Sequence, residues 1–345
     1  MKKRIAVLFG GYSDEYAVSL KSAQAVIGAI DQEQYELVLI GISQEGHWYR
    51  YEGPLDAIAA DRWQDGRCTP AILSPDRGSH GLITAQGDRL RIDAALPILH
   101  GKNGEDGTVQ GLLAMAGIPI IGCGCLSSAL CMDKLRAHQV AAAAGIPVPQ
   151  NLELRAIPPE TEVRKLAETL GYPLFVKPVN GGSSYGISRV TAPEDLMPAV
   201  LTAFQHDDKV LLETAVDGVE VGCAIIGQND DLTIGVVDEI EIPSGFFDFT
   251  EKYTQKNSAI HTPGRMTVEK AEEIQETARK LYRALDCAGF ARVDMFLAKD
   301  GTVYFNEINT IPGFTSLSRF PKMLMATGMT FQEVVALLLR KGLPQ

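Results

Sequence analysis

The stretch Ala291 to Asn309 reads ARVDMFLAKDGTVYFNEIN and leaves little choice of local structure. Apolar residues alternate with others, the pattern breaks at Asp300-Gly301, and the alternation resumes, as expected of a β-hairpin with a two-residue turn. With Asp300 and Gly301 as the turn, Asp294 lies opposite Glu307 and Arg292 opposite Asn309. Side chains alternate at period two, so all four project from one face. Opposed carboxylates repel unless a cation sits between them. An acid pair beside an amide suits Mg²⁺, which takes hard oxygen ligands and completes its shell with waters and phosphates. The face therefore reads as a magnesium and phosphate platform. A solvated hairpin face of mixed charge fits the same alternation.

At 345 residues the chain has room for two or three domains with substantial cores. Its 46% apolar and 22% charged composition is that of an ordinary soluble globular protein. A formal charge of -11 argues against a nucleic-acid partner, and an anionic ligand needs local Lys and Arg. The basic start is followed by too short an apolar run for a signal segment, and no stretch approaches a membrane span. Six cysteines, at 68, 123, 125, 131, 223 and 287, form no CxxC pair and suit buried, reduced thiols. A cytoplasmic protein with no membrane partner is expected.

The apolar run Arg4 to Phe9, a helical pattern from about Val18 to Ile30 and the strand Tyr35 to Ile42 make a βαβ opening, which predicts a doubly wound N-terminal domain over residues 1–121. Ala94 to Leu99 and Ile118 to Ile121 supply further strands. Gly10-Gly11 lets backbone approach a ligand, but neither GxGxxG nor GxxxxGK[ST] is present. A second unit, 122–217, holds a helix from Ser127 to Ala144, the strand Tyr172 to Val179 and the loop from Asn180 to Gly186. A third, 218–345, carries strands Glu220 to Ile226 and Leu232 to Ile240 and a polar segment from Pro243 to Pro263. Its helix Thr267 to Asp286 has a buried stripe of Ile274, Ala278, Leu281 and Leu285. The hairpin and a final amphipathic helix from Thr330 follow.

Lys177 emerges from a buried strand beside a loop rich in glycine and serine, a sensible phosphate clamp, though a strand-end lysine before an ordinary turn looks the same. Glu213 and Glu220 sit at strand ends, where carboxylates can accept from an adenine amino group or ribose hydroxyls. Phe246 to Tyr253, FFDFTEKY, alternates aromatic and polar residues. It suits a lid that excludes water, with Lys252 and Tyr253 turned inward, and equally a strand with an aromatic edge.

Taken together, these residues resemble the D-alanine:D-alanine ligases of the ATP-grasp superfamily, nearly end to end. The resemblance rests on LFGGYSDE at 8–15, LHGKNGEDGTVQG at 99–111, CMDK at 131–134 and VKPVNGGSSYG at 176–186. EKY at 251–253, RVD at 292–294 and NEINTIPGFTSLSR at 306–319 complete it. It implies an α/β ATP-grasp fold of three consecutive units, with ATP between the second and third. Lys134, Lys177 and Lys252 would hold its phosphates, and Glu213 and Glu220 its adenine and ribose. Asp294, Glu307 and Asn309 match ligands for two Mg²⁺ (or Mn²⁺). Arg292 and the Gly313 N–H match groups that stabilise a tetrahedral intermediate. Ser183 and Tyr253 match hydroxyls tying the serine loop to the lid, while Glu15, His100, Ser318 and Arg319 match the substrate side. A homodimer is usual in the family.

Two departures from the family pattern stand out. Where an acid usually holds the ammonium of the first D-alanine, before Val18-Ser19, this chain has Ala17; Glu15 also matches a family acid. Arg319 follows Ser318 where housekeeping ligases usually carry Leu or Met. Ser-Arg resembles the vancomycin-resistance relatives and FFDFTEKY their D-alanine:D-serine members, and an arginine beside the second-substrate pocket can donate to an added hydroxyl. The expected product is D-alanyl-D-serine, with D-alanyl-D-alanine as the alternative. A nucleotide-binding homologue impaired by Ala17, and an ATP-grasp ligase joining another acid and amine, remain open.

Overall fold

The computed structural model describes residues 2–182, 185–241 and 259–343, to which all counts and absences below refer. Three sheets organise the chain. In the first, the strands run Arg89–Arg91, Gly81–Thr84, Cys68–Leu73, Trp48–Tyr51, Tyr35–Ile42, Lys3–Gly10 and Ala94–Pro97 across the sheet. Lys3–Gly10 pairs in parallel with both neighbours. Its apolar run is continuous because both faces are covered: Ile5, Val7 and Phe9 pack towards the helix Tyr16–Ala29, and Ala6 and Leu8 towards Thr108–Ala116.

The expectation of a doubly wound domain needs correction beyond that parallel centre. The four strands from Trp48 to Arg91 form an antiparallel extension. Links such as 74–80 and 85–88 are too short for a parallel crossover. Ile118 to Ile121 is not a strand either, and contributes one parallel bridge between Ala95 and Ile120.

The second sheet runs Ser188–Val190, Leu174–Pro178, Val210–Thr214, Asn151–Leu154, all antiparallel, under the helices Glu160–Leu170 and Leu196–Ala203. The third runs Ala259–His261, Asp231–Glu241, Gly218–Gln228, Gly289–Ala298, Val303–Asn309. One face receives the helix Val268–Ala284, capped by Thr267 and buried along the expected stripe of Ile274, Ala278, Leu281 and Leu285. The other receives Arg319–Met325 and Phe331–Gly342, the latter opened by a Thr330–Glu333 capping box. No described helix is long and apolar enough to cross a membrane.

The helix expected over 127–144 is two helices, Cys125–Met132 and Lys134–Ala143. Asp133 breaks them with an extended backbone, and its carboxylate accepts the Arg136 N–H at 3.0 Å and the Lys209 ammonium at 2.6 Å. An aspartate that caps the next turn competes with helix continuation. Cys131, Ala137 and Ala141 from this pair enter the core of the third sheet, not the second.

The first unit also grips the chain just beyond the hairpin. Glu105 accepts the Ile311 N–H at 2.8 Å and the Gly101 N–H at 2.9 Å, while His100 Nδ1 donates to the Ile311 carbonyl at 2.8 Å. Ser22 Oγ accepts the Phe314 N–H at 3.2 Å and lies 3.1 Å from His100 Nε2. Burial lowers the His100 pKa, which keeps the ring neutral in this chain of bonds. Burial first, and then the charge of Glu15, push the Glu105 carboxyl up to about 8. The folded state thus keeps a proton that the unfolded chain releases near 4.5. The stabilisation from this group is complete below the unfolded value and is lost as pH rises through the folded one. Urea midpoints compared across that window should fall more steeply with pH for the parent protein than for Glu105→Gln; parallel curves would contradict the assignment.

Candidate active site

The hairpin delivers the expected opposition, with Asp294 facing Glu307 and Arg292 facing Asn309. It does so by a different route. The turn has three residues, Lys299, Asp300 and Gly301, closed by Ala298 N–H to Thr302 O and Gly301 N–H to Ala298 O, both 2.9 Å. Gly301 takes φ +89°, the left-handed residue that such a loop needs. On its own this turn shifts every pair by one, as in Leu297 facing Val303 and Met295 facing Phe305. A bulge between Asp294 and Met295, with Asn306 as the extra residue, restores the register. The two-residue turn is therefore corrected, and its consequence survives because two departures cancel.

On the resulting face, Arg292 grips Asp294 with Nε on Oδ1 at 2.8 Å and Nη2 on Oδ2 at 2.7 Å. Asn309 Nδ2 donates to Asp294 Oδ2 at 2.8 Å, so its amide oxygen is the atom left to act as an acceptor. Lys134 Nζ stands 3.6 Å from Glu307 and donates to Gly181 O at 2.6 Å. Side-chain cations thus offset the opposed acids. The donor set of two carboxylates and an amide oxygen fits a hard divalent cation, with no soft ligand among them. Among the described residues no group of three or more His, Cys, Asp or Glu that could hold a metal is present, so these two carboxylates and the amide do not by themselves complete a cation's shell.

Arg319 is the hub behind that face. Its Nε and Nη2 meet Asp238 at 2.8 Å each, and its Nη1 meets Glu220 at 2.9 Å and Asp294 at 3.4 Å. Asp238 is fully buried and the Arg319 side chain is 9% exposed. The sequence reading aimed Arg319 at substrate and Glu220 at ribose; both are first of all partners of each other. Room for the hub comes from Gly222, where a methyl would stand 2.5 Å from Arg319 Nη2 and 2.7 Å from Asp238 Oδ1. Gly222 and Asp238 were invisible in sequence, since one is a strand glycine and the other a strand acid among many.

Across the second sheet, Lys177 and Glu213 form a buried pair at 2.7 Å. The other Glu213 oxygen, Oε2, has no hydrogen-bond partner and lies 3.7 Å from His138 Nδ1. An orphaned buried carboxylate oxygen is expensive, and an amino group from a ligand would satisfy it.

Glu15 opens the first helix with its carboxylate close against two backbones: a methyl on either Gly101 or Gly182 would fall 2.5 Å from Oε2. It lines a cleft of about 650 Å³ shared by the first unit and the glycine-rich loop, with Ser13, Lys102, Asn180 and Tyr185 among the walls. Ala17 is exposed. Gly313 packs on Ser318, whose hydroxyl bonds Thr315 at 2.9 Å. His100 is buried as the Ile311 strut described above. Ser183, Lys252, Tyr253 and the rest of the Phe246–Tyr253 segment lie outside the described residues.

Two family models match the chain, D-ala D-ala ligase N-terminus over residues 4–123 and D-ala D-ala ligase C-terminus over 140–340. VanG D-Ala:D-Ser ligase from Enterococcus faecalis shares the fold with a TM-score of 0.92 at 46% identity, over 99% of both chains. The D-alanine-D-alanine ligase of Coxiella burnetii gives 0.86 at 30%, over 99% of this chain and 95% of that one. A Streptomyces coelicolor protein provisionally named a D-alanine–D-lactate ligase is 45% identical over 339 residues, which are 96% of this chain and 95% of the relative. This chain belongs to the D-alanine–D-alanine ligase family.

Proposed function

We propose that the protein is an ATP-dependent ligase that joins D-alanine to D-serine, with D-alanine as the lesser acceptor, for peptidoglycan precursors. The observation that carries this reading is the hairpin face on which Arg292, Asp294, Glu307 and Asn309 converge beside Lys134. ATP is assigned to the space between the second and third sheets, within the unit boundaries of the sequence reading. Lys134 and Lys177 then hold its phosphates, and Glu213 Oε2 accepts from the adenine amino group, which gives that orphaned oxygen a partner. Glu220, held by Arg319, borders the ribose. Asp294, Glu307 and Asn309 would hold Mg²⁺, which would neutralise charge on the terminal phosphates.

The first D-alanine is bound with its ammonium at Glu15 and its carboxylate towards the γ-phosphate. Attack by a carboxylate oxygen on that phosphorus yields an acyl phosphate and ADP. The neutral amine of the second amino acid attacks the acyl carbon, the departing phosphate takes the electron pair of the broken C–O bond, and it accepts the proton that the nitrogen sheds as the amide forms. Arg292 and the Gly313 N–H are assigned the oxyanion of the tetrahedral intermediate. Glu15 on the cleft wall, with Ala17 facing solvent, favours a competent ligase over a homologue disabled at position 17.

D-serine rests on the Ser318-Arg319 pair and on the likeness to the VanG enzyme, whose name carries that substrate. The name of the Streptomyces coelicolor relative points to D-lactate, whereas Arg319 acts from behind the face, through Asp238, Glu220 and Asp294, so the choice of D-serine is carried chiefly by the likeness to the VanG enzyme. Phosphate release with D-alanine plus D-serine should exceed that with D-alanine alone by about tenfold or more, with mixed dipeptide as the product. No mixed dipeptide would overturn the acceptor, and turnover only after Ala17→Glu would favour the impaired homologue. Gly222→Ala should lower kcat/KM by about 10- to 100-fold by displacing the Arg319 hub, while costing about 1–3 kcal/mol in folding stability. Unchanged kinetics would show that the hub tolerates movement.

A further inference from the structure

The hairpin could not present its acid face if its strands paired without interruption. Continued unbroken, the register set by the Lys299–Gly301 turn would put Asn306 opposite Asp294. Glu307 and Asn309 would then turn to the face occupied by Val293 and Met295, which are fully buried. The extra residue prevents this, but a bulge leaves backbone groups outside the ladder that have to be satisfied elsewhere. The Phe305 N–H goes to Pro147 O at 2.9 Å. The Asn306 carbonyl is taken by a side chain, His138 Nε2, at 2.9 Å.

His138 lies on the helix Lys134–Ala143, 1% exposed, with its ring edge-on to Phe305 at 5.5 Å between centroids. A carbonyl can only accept, so Nε2 carries the proton. Nδ1 is then the acceptor for Asn151 Nδ2 at 3.2 Å, whose amide also donates to Pro149 O at 3.0 Å. Asn151 pairs in the second sheet with Glu213, the residue whose Oε2 lies 3.7 Å from Nδ1. One imidazole therefore joins the bulge of the third sheet to the edge of the second.

We infer that His138 is a positioning residue for the nucleotide and metal site: by holding the Asn306 carbonyl it locks the bulge that sets Glu307 and Asn309 beside Asp294. This rests on the reading of those three residues as the metal arm. His138 touches no reacting atom and acts through the hairpin backbone.

The test compares the parent protein with His138→Met, His138→Asn and His138→Gln, by melting temperature and by calorimetric binding of a non-hydrolysable ATP analogue over a Mn²⁺ titration. The KM for D-alanine is measured alongside. Met removes the donor, Asn is too short to reach Asn306, and Gln can restore an N–H. In the Met and Asn variants the half-saturating Mn²⁺ should rise by about 10- to 100-fold with the D-alanine KM within about twofold, and Gln should recover most of the loss. If Met does not fold, Asn decides by the same criterion. A lowered melting temperature with an unchanged Mn²⁺ requirement overturns the inference, as does a folded Gln variant no better than Met. If the parent binds the analogue equally without Mn²⁺, the metal-arm reading fails, and this inference with it.

Discussion

A carboxylate buried as deeply as Asp294, 1% exposed, has to be met by positive charge and hydrogen bonds, and much of the third sheet is arranged to do so. Arg292 supplies a two-point grip, Asn309 a neutral donor and Arg319 a second guanidinium. Removing one partner from such a group costs about 3–5 kcal/mol, because the remaining charge stays buried. Arg319 in turn brings Asp238 and Glu220 into the network, and Gly222 leaves the space for it. The charged side chains nearest the proposed phosphates are therefore fixed by one another before any ligand arrives. That is the preorganisation a phosphoryl-transfer site needs, since its chemistry is mainly positioning and electrostatics.

The first unit contributes to this site without belonging to either sheet of the proposed nucleotide cleft. Glu105 and His100 hold both backbone groups of Ile311, two residues after Asn309, and Ser22 holds the Phe314 N–H. The segment containing Gly313 is thus pinned at both ends by residues from the first 105 of the chain. Glu15 lies against Gly101 and acts on Glu105 from the start of its helix, so the proposed substrate side and the proposed oxyanion donors share one support.

Much of this was legible in the sequence, and the failures have identifiable causes. The strand Tyr35–Ile42, the stripe on Val268–Ala284 and the cap at Thr330 follow from period and capping chemistry alone. The hairpin faces followed from alternation, although the turn was misjudged: Asp-Gly serves two- and three-residue loops alike, and only tertiary contacts at Asn306 show the compensating bulge. The antiparallel strands from Trp48 to Arg91 are short and interrupted by Pro70 and Gly81, which blurs their period. The break at Asp133 was hidden because the residues around it are good helix formers, and the aspartate wins by capping and by pairing with Lys209, 76 residues further along the chain. Gly222, Asp238 and His138 act through neighbours distant in sequence, so no local pattern marks them.

The central claim is that the bulged hairpin gathers Asp294, Glu307 and Asn309 into a seat for a divalent cation at the nucleotide phosphates. Anomalous diffraction from crystals grown with Mn²⁺ and ADP tests it most directly. The account predicts a manganese peak with oxygens of these three residues as ligands at about 2.1 Å. A nucleotide bound with no metal there, and with Asp294 still held by Arg292, Asn309 and Arg319 and Glu307 still beside Lys134, would contradict it.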